Sequence, residues 1–186
     1  MIQPWPKLSS TPRGKFTVFS IREDRKVSPR TGREHDFYVL DCVDWVNVIA
    51  VTADQQLVMV EQFRHGSETV ELEIPGGVMD QHETYPVATA VRELREETGY
   101  EGRNARLLGS IRPNPAIMSN TCHTVLIEDC RLAHPVEFDH GEDIVTRLLP
   151  AEAAIQHVAS GKIQHSLVVV GLFYFDLWRR GLLATK

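Results

Sequence analysis

Residues 77–83 (GVMDQHE) and residues 92–100 (RELREETGY) are the stretches that decide the fold of this chain. The spacing of apolar residues between them predicts a helix from about Tyr85 to Thr98. Gly99 then stands where a left-handed residue ends many helices. One narrow stripe of this helix is apolar and is predicted to be buried; it consists of Val87, Val91, Leu94 and Thr98.

Three glutamates, Glu93, Glu96 and Glu97, lie on the same predicted helix, away from the apolar stripe. Like charges four residues apart on a helix repel by about a few tenths of a kcal/mol, so the cluster calls for a compensating partner. A divalent cation suits it, because Mg²⁺ takes hard oxygen ligands and often keeps substrate phosphates in its shell. Arg92 is placed to hold one carboxylate by a bidentate contact. The alternative interpretation is a solvent-exposed charged face, supported by a pair between Arg92 and Glu96.

The glycine pair Gly76–Gly77 precedes the helix and predicts a turn whose amides can approach an anion. Together these stretches resemble the signature motif of the Nudix hydrolases: Gly, five residues, Glu, seven residues, and then Arg-Glu-apolar-x-Glu-Glu-x-Gly-apolar. Gly77 and Glu83 keep the first spacing, and residues 92–100 match the second half in full. Eight residues instead of seven separate Glu83 from Arg92, which leaves the role of Glu83 provisional.

The resemblance implies a metal site and a set of catalytic residues. The metal is Mg²⁺, with Mn²⁺ as the alternative ion, and its ligands are Glu93, Glu96, Glu97 and Gly77. Glu96 and Arg92 are also expected to take part in catalysis, Arg92 by orienting a carboxylate. A general base within reach of the attacking water is still needed.

In Nudix relatives the base, or an extra metal ligand, comes from an acidic loop late in the chain. The matching segment here is residues 139–143 (DHGED). Glu142 follows a glycine and precedes a predicted strand, which suits a mobile catalytic loop, and it is the first candidate. Asp143 is provisional, and Asp139 and His140 are further alternatives. The competing interpretation is a solvated acidic turn.

Three further segments resemble the branch of the family that hydrolyses ADP-ribose and nucleoside-diphosphate sugars; they are residues 46–51, 60–66 and 71–77. In that branch a proline lies fifteen residues after the motif, and Pro115 stands fifteen residues after Tyr100. This resemblance implies a nucleoside-diphosphate-X substrate that is split at the pyrophosphate into a nucleoside monophosphate and a phosphorylated X. It also implies a homodimer in which the N-terminal strands exchange between subunits.

The candidates for substrate binding lie outside the motif. Arg64 is either a phosphate or base contact, since a guanidinium pairs bidentately with phosphate, or a rim salt bridge with Glu71 or Glu73. Glu73 is itself counted among the substrate-binding candidates. Trp45 either stacks on a base or belongs to the core. Two residues of the Pro-Asn-Pro loop offer hydrogen bonds to X; they are Asn114 and Ser119.

Composition limits the remaining possibilities. The 186 residues suffice for one well-buried core, and 42% are apolar and 24% charged, as in ordinary globular proteins. A net charge of −5 argues against a nucleic-acid partner. The longest apolar stretch near the end, residues 166–175, is shorter than the roughly 20 residues of a membrane span. The widely spaced Cys42, Cys122 and Cys130 favour a reducing compartment, so we expect a soluble cytoplasmic protein without a membrane partner.

The order of predicted elements favours an α/β fold, an α/β/α sandwich around a mixed sheet with N-terminal antiparallel strands. The Nudix resemblance implies the same fold. Residues 1–14 are predicted to be a loosely structured lead-in. We expect a single domain over residues 1–186, with dimer-forming strands in residues 1–43 and a catalytic core in residues 44–186. Strands are predicted at residues 16–22, 36–42, 46–52, 57–64, 71–74, 106–111, 121–128 and 144–149, and further helices at 150–160 and 164–180.

Two other functions remain open at this point. One is another Nudix activity, such as the hydrolysis of dinucleoside polyphosphates, coenzyme A or oxidised nucleotides. The other is a non-catalytic module that binds ADP-ribose as a sensor. The retained carboxylates Glu93, Glu96 and Glu97 favour an enzyme over a sensor.

Overall fold

The computed structural model describes residues 1–80 and 83–183. Gln81 and His82, which belong to the predicted motif, lie outside the described residues. The chain forms two compact units. The first unit consists of Met1–Asp44 and Arg112–Thr121, and the second contains the rest of the described chain.

The first unit is a three-stranded antiparallel sheet, in the order β1-β2-β3. Its strands are β1 (Lys7–Lys15), β2 (Phe19–Val27) and β3 (Glu34–Cys42). The prediction that residues 1–14 are loosely structured is therefore wrong, because more than half of them belong to strand β1. This strand is almost entirely exposed, so it carries no apolar alternation that sequence patterns could reveal, and backbone pairing with β2 defines it.

The second unit contains a seven-stranded mixed sheet, in which β4 and β9 are parallel and the other pairs are antiparallel. The strand order is β10-β5-β4-β9-β8, with β6 added to β5 and β7 added to β4. The elements are β4 (Trp45–Thr52), β5 (Gln56–Arg64), β6 (Thr69–Glu73), β7 (Gly76–Val78), α1 (Pro86–Thr98), β8 (Tyr100–Ile111), β9 (Cys122–Leu132), β10 (Ile144–Pro150), α2 (Ala153–Ala159) and α3 (Ser166–Arg179).

Helices cover both faces of this sheet, as the alternation along β4 shows. Val48 and Ala50 belong to a core cluster that includes Leu94 of α1, whereas Ile49 belongs to a second cluster that includes Leu172 of α3. Successive residues of a strand point to opposite faces, so α1 and α3 lie on opposite sides. The predicted α/β/α sandwich around a mixed sheet, with N-terminal antiparallel strands, is confirmed.

A divergence of two central strands makes room for the site. Strands β4 and β5 pair only near their connecting hairpin, at Val51 and Leu57. Further along, β5 pairs with β6 and the start of β4 pairs with β7. Short strands β6 and β7 thus fill the gap, and the Gly76–Gly77 pair runs through it.

Helix α1 ends as predicted, because Gly99 adopts φ 73° and donates its N–H to the Arg95 carbonyl at 2.8 Å. The predicted buried stripe is partly wrong. Val91 is 44% exposed, whereas Glu93 and Glu97 are buried. Among the helices of the described chain, none is both long and apolar enough to cross a membrane.

Candidate active site

Two glutamates of α1 lie against the backbone of β7. The amide N–H of Gly76 donates a hydrogen bond to Glu97 Oε2 at 3.0 Å. A Cβ atom on Gly77 would lie 2.5 Å from Glu93 Cδ, so only glycine leaves room for this carboxylate. Neither glycine has a side chain to separate the helix from the strand, which explains why an acidic face is buried.

Burial makes both carboxylates unusually basic. It raises the pKa of Glu97 to about 8, although the Gly76 hydrogen bond favours the charged form, and the charges of Glu93 and Glu142 raise it further. Burial likewise raises the pKa of Glu93 to about 7, against the attraction of Arg92. Such perturbed groups in one place are typical of functional sites.

Arg92 contacts three carboxylates rather than the single one that the sequence predicted. Its guanidinium lies 3.4 Å from Glu83, 3.0 Å from Glu93 and 2.8 Å from Glu96. Burial works against its charge, but these carboxylates raise the pKa of Arg92 above its ordinary value. The additional residue between Glu83 and Arg92 therefore does not keep the two side chains apart.

Glu83 is fixed within the loop that leads into α1. It accepts hydrogen bonds from the Asp80 amide at 3.0 Å and from the Thr89 hydroxyl at 2.8 Å. Burial opposes its charge, but these donors and Arg92 lower the pKa of Glu83. Glu83 thus forms the longest of the three ion pairs of Arg92.

The predicted ligands have the right donor chemistry for a hard divalent cation. Glu93, Glu96 and Glu97 lie within five successive residues of α1, Gly77 packs against Glu93, and all of them offer the oxygen atoms that Mg²⁺ prefers. Within residues 1–80 and 83–183, however, no three His, Cys, Asp or Glu side chains are arranged to hold a metal ion together. Arg92 occupies two of the carboxylates, so metal binding requires Glu93 and Glu96 to turn away from it.

A cleft of about 680 Å³ opens beside the glycine pair. Its lining includes Gly76–Gly77, Trp45, Arg64, Glu73 and His165. The same two glycines thus form one wall of the cleft and the support for the helix carboxylates.

Arg64 and Glu73 form an ion pair in this cleft. The sequence had left open whether Arg64 contacts phosphate or forms such a salt bridge. Arg64 Nε and Nη2 donate to the two Glu73 oxygens at 2.6 and 2.7 Å. Burial would raise the pKa of Glu73, but hydrogen bonds from Arg64 and His165 overcome it and lower the pKa to about 2. A phosphate contact of Arg64 stays a prediction.

Sequence reasoning missed His165, which precedes α3 and lies 3.1 Å from Glu73 Oε2 through its Nδ1 atom. The two residues are 92 positions apart in sequence. A single histidine before a helix carries no pattern of its own, so only the fold reveals the contact.

Arg64→Ala is expected to lower the free energy of unfolding by about 2 kcal/mol, because a buried carboxylate loses its main partner. Arg147→Ala is the matched control, since Arg147 pairs with the partly exposed Glu61 on the same strand as Arg64, and such pairs contribute about 0–1 kcal/mol. Urea denaturation at neutral pH measures both. Equal losses in the two variants would contradict the assignment of Glu73 as a buried, Arg64-dependent charge.

The other predicted residues differ in their surroundings. Glu142 accepts a hydrogen bond from the Asp139 amide at 2.9 Å, and its charge acts on Glu93 and Glu97. Asp143 is exposed beside it. Trp45 is half-buried and lies in the cleft wall rather than in the apolar core.

Asn114 and Ser119 belong to the first unit. There the Asn114 carbonyl accepts from the Met118 amide at 2.8 Å, and the Ser119 amide donates to the Leu40 carbonyl at 3.1 Å. Their binding of X stays a prediction.

Comparison with known proteins agrees with this geometry. Residues 43–166 match the model of the NUDIX domain. The chain is 32% identical over 133 residues to a methanol dehydrogenase activator from Bacillus methanolicus, and 31% identical over 133 residues to an ADP-ribose pyrophosphatase from Bacillus subtilis strain 168. Each match covers 71% of both chains.

A solved structure shares the fold over almost its whole length. The crystal structure of an ADP compounds hydrolase matches with a TM-score of 0.85, covers 97% of both chains and is 18% identical in sequence. This likeness concerns the fold, and the sequence matches carry the family assignment. Residues 77–100 carry the motif that the sequence resemblance indicated. The chain therefore belongs to the NUDIX family and is a pyrophosphohydrolase.

Proposed function

We propose that this protein hydrolyses the pyrophosphate bond of a nucleoside-diphosphate-X substrate, ADP-ribose or a nucleotide sugar, in a reaction that depends on Mg²⁺ or Mn²⁺. The products are a nucleoside monophosphate and a phosphorylated X. The observation that carries the proposal is the pair of buried carboxylates, Glu93 and Glu97, against the Gly76–Gly77 wall of a cleft that Arg64 also lines. The ADP-ribose pyrophosphatases among its relatives support this substrate class.

The residues that would hold the cation are Glu93, Glu96 and Glu97, together with Gly77. A bound divalent ion supplies positive charge that offsets the negative charge of the diphosphate. Arg92 would orient Glu96 and Glu93, which it contacts together with Glu83 in this structure. The cleft contributes Arg64 as a donor to phosphate oxygens and Trp45 as an aromatic surface for the base.

Glu142 is the group that we propose to accept a proton from the attacking water. Its carboxylate is close enough to Glu93 and Glu97 to raise the pKa of both. It lies in the 139–143 turn, where its side chain accepts one hydrogen bond within the described part of the chain, from the Asp139 backbone amide. A carboxylate held this loosely can change position when substrate binds.

Glu142→Gln is expected to lower kcat by about 10²- to 10⁴-fold, the usual contribution of a general base, with little change in KM. Asp143→Asn, one residue along the same loop, is the matched control and should retain most of the wild-type kcat. Steady-state kinetics on the best substrate measures both. Near wild-type turnover in Glu142→Gln, with loss in the control, would transfer the role to Asp143.

A substrate panel tests the proposed function itself. Turnover with and without Mg²⁺ is compared for ADP-ribose, ADP-glucose, GDP-mannose, UDP-glucose and a dinucleoside polyphosphate, and the products are identified by phosphorus NMR. Hydrolysis of the first four to a nucleoside monophosphate supports the proposal. A preference for the dinucleoside polyphosphate would assign another Nudix activity, and binding of ADP-ribose without any turnover would indicate a sensor.

We further propose a cytoplasmic homodimer. The N-terminal strands of the resembling branch support the dimer, and three cysteines without a disulfide, all of them within the described residues, suit a reducing compartment. Light scattering that gives the mass of one chain at working concentration would contradict the dimer.

A further inference from the structure

Glu73 lies behind two side chains of the cleft wall. Its carboxylate is 2% exposed, whereas the side chains of its partners Arg64 and His165 are 43% and 35% exposed. Both partners also line the cleft. One buried carboxylate thus holds two nitrogen-bearing side chains at the surface that a ligand would meet.

Hydrogen bonding defines which edge of the His165 ring is available. An ionised carboxylate only accepts hydrogen bonds, so Nδ1 carries a proton and donates it to Glu73 at 3.1 Å. Nε2, on the opposite side of the ring, makes no hydrogen bond within the part of the chain that the structure describes. When the ring is protonated, Nε2 also donates.

Two other polar side chains of the cleft each donate a hydrogen bond to a backbone carbonyl. Asn47 Nδ2 donates to the Leu167 carbonyl at 2.8 Å, and Gln164 Nε2 donates to the Gly161 carbonyl at 2.9 Å. Arg64 uses Nε and Nη2 for Glu73 and retains Nη1. Arg64 Nη1 therefore remains available to an anion, as does His165 Nε2 when the ring carries both protons.

We propose that His165 is a substrate-binding residue whose Nε2, together with Arg64, binds the phosphate oxygens of the substrate, and that Glu73 positions both side chains. The proposal rests on the proposed function, because it names the phosphate-binding part of the same site. The charged groups that face the ring are Arg64 on β5 and Glu73 on β6, with Glu71 also lining the cleft. A protonated imidazole beside Arg64 would give this wall the positive charge that a diphosphate requires.

Two substitutions separate phosphate binding from a purely structural role. His165→Asn places an amide NH₂ near the position of Nδ1, so it keeps the hydrogen bond to Glu73 and removes the outer edge of the ring. His165→Gln places an amide NH₂ near the position of Nε2, so it keeps the outer donor and loses the contact with Glu73. If His165 only supports Glu73, pyrophosphate binding should weaken more in His165→Gln. If Nε2 binds phosphate, binding should weaken more in His165→Asn.

Binding of inorganic pyrophosphate is measured by calorimetry in EDTA at about pH 6. His165→Asn is expected to weaken binding about tenfold, the size of one charge-assisted hydrogen bond, and His165→Gln by less than about threefold. His157→Gln serves as control, because His157 lies on α2 and bonds the Ala153 carbonyl of its own helix. Wild-type affinity in His165→Asn, an equal or greater loss in His165→Gln, or no binding by the unsubstituted protein overturns the proposal.

Kinetics on a nucleoside-diphosphate-X substrate gives the second measurement. His165→Asn should raise KM about tenfold with kcat nearly unchanged, because the lost contact exists in both the ground state and the transition state. A fall in kcat at unchanged KM would overturn the assignment. The calorimetric test measures binding and needs no turnover. If the proposed function is wrong, the substrate panel shows it, and the pyrophosphate result still decides whether His165 binds phosphate.

Discussion

Glu97→Gln is expected to remove metal-dependent turnover and, at the same time, to stabilise the metal-free protein. Residues that only support metal ligands contribute about 10- to 100-fold to affinity or activity, so loss of a ligand should cost at least about 100-fold in kcat/KM. The stabilisation arises because Glu97 is 3% exposed and burial raises its pKa to about 8. A neutral amide of the same shape can still accept the Gly76 hydrogen bond without bringing a charge into the interior.

The direction of the pH effect follows from the same pKa. The folded protein keeps a proton on Glu97 up to about pH 8, whereas the unfolded chain loses it near the ordinary value of 4.5. Stability from this group is therefore present at low pH and is lost as the pH rises through that interval. In EDTA, the free energy of unfolding of the wild type should fall from about pH 5 to pH 8, and Glu97→Gln should reduce this fall.

Urea denaturation across this pH range measures the effect, and Glu96→Gln is the matched control. The Glu96 side chain is 34% exposed, so its substitution should impair turnover without raising stability above pH 8. We expect Glu97→Gln to be more stable than the wild type at that pH by at least about 1 kcal/mol, the equivalent of one pKa unit. Unchanged activity in Glu97→Gln would refute the metal assignment, and a stability loss at high pH would refute the buried charge.

Gly77→Ala is expected to lower kcat/KM by about 100-fold, the cost of misplacing a catalytic group by about 1 Å. The added methyl group would lie 2.5 Å from Glu93 Cδ, so either the carboxylate turns away or β7 moves off the helix. Either change separates Glu93, a predicted metal ligand, from the backbone of β7. Titration with Mn²⁺, followed by electron paramagnetic resonance, should show weaker ion binding alongside the kinetic loss.

Gly66→Ala provides the comparison for this variant. Gly66 also lines the cleft, but a Cβ atom there meets nothing within 4 Å. The substitution should leave kcat/KM within about twofold and slightly stabilise the protein through the unfolded chain. If both alanine variants retained activity, the close contact between Gly77 and Glu93 would have no catalytic importance.

The local signals in the sequence were sufficient for the framework of the site. Gly99 marked the end of α1, and the strand and helix pattern indicated a mixed sheet between helices. The burial of Glu93 and Glu97 was not predictable from helical periodicity, because it depends on the element opposite the helix. That element presents Gly76 and Gly77, which have no side chains, so the acidic face lies against the backbone while Val91 remains outside.

Two other features depend on contacts that leave no pattern in the sequence. Strand β1 is polar and exposed, so only its pairing with β2 defines it. His165 reaches Glu73 across 92 residues, and β6 and the start of α3 come together only when the sheet is complete. Strand β1 carries no apolar alternation to mark it, and no local pattern links His165 to Glu73.

The glycine pair in β7 has a thermodynamic consequence. Gly76 and Gly77 line the cleft, and the same glycines contact the α1 carboxylates, Gly76 through its amide hydrogen bond to Glu97. An anion in the cleft and a cation on the helix would therefore attract each other. Linkage makes such an effect reciprocal: a diphosphate should tighten ion binding by the same factor by which the ion tightens binding of the diphosphate.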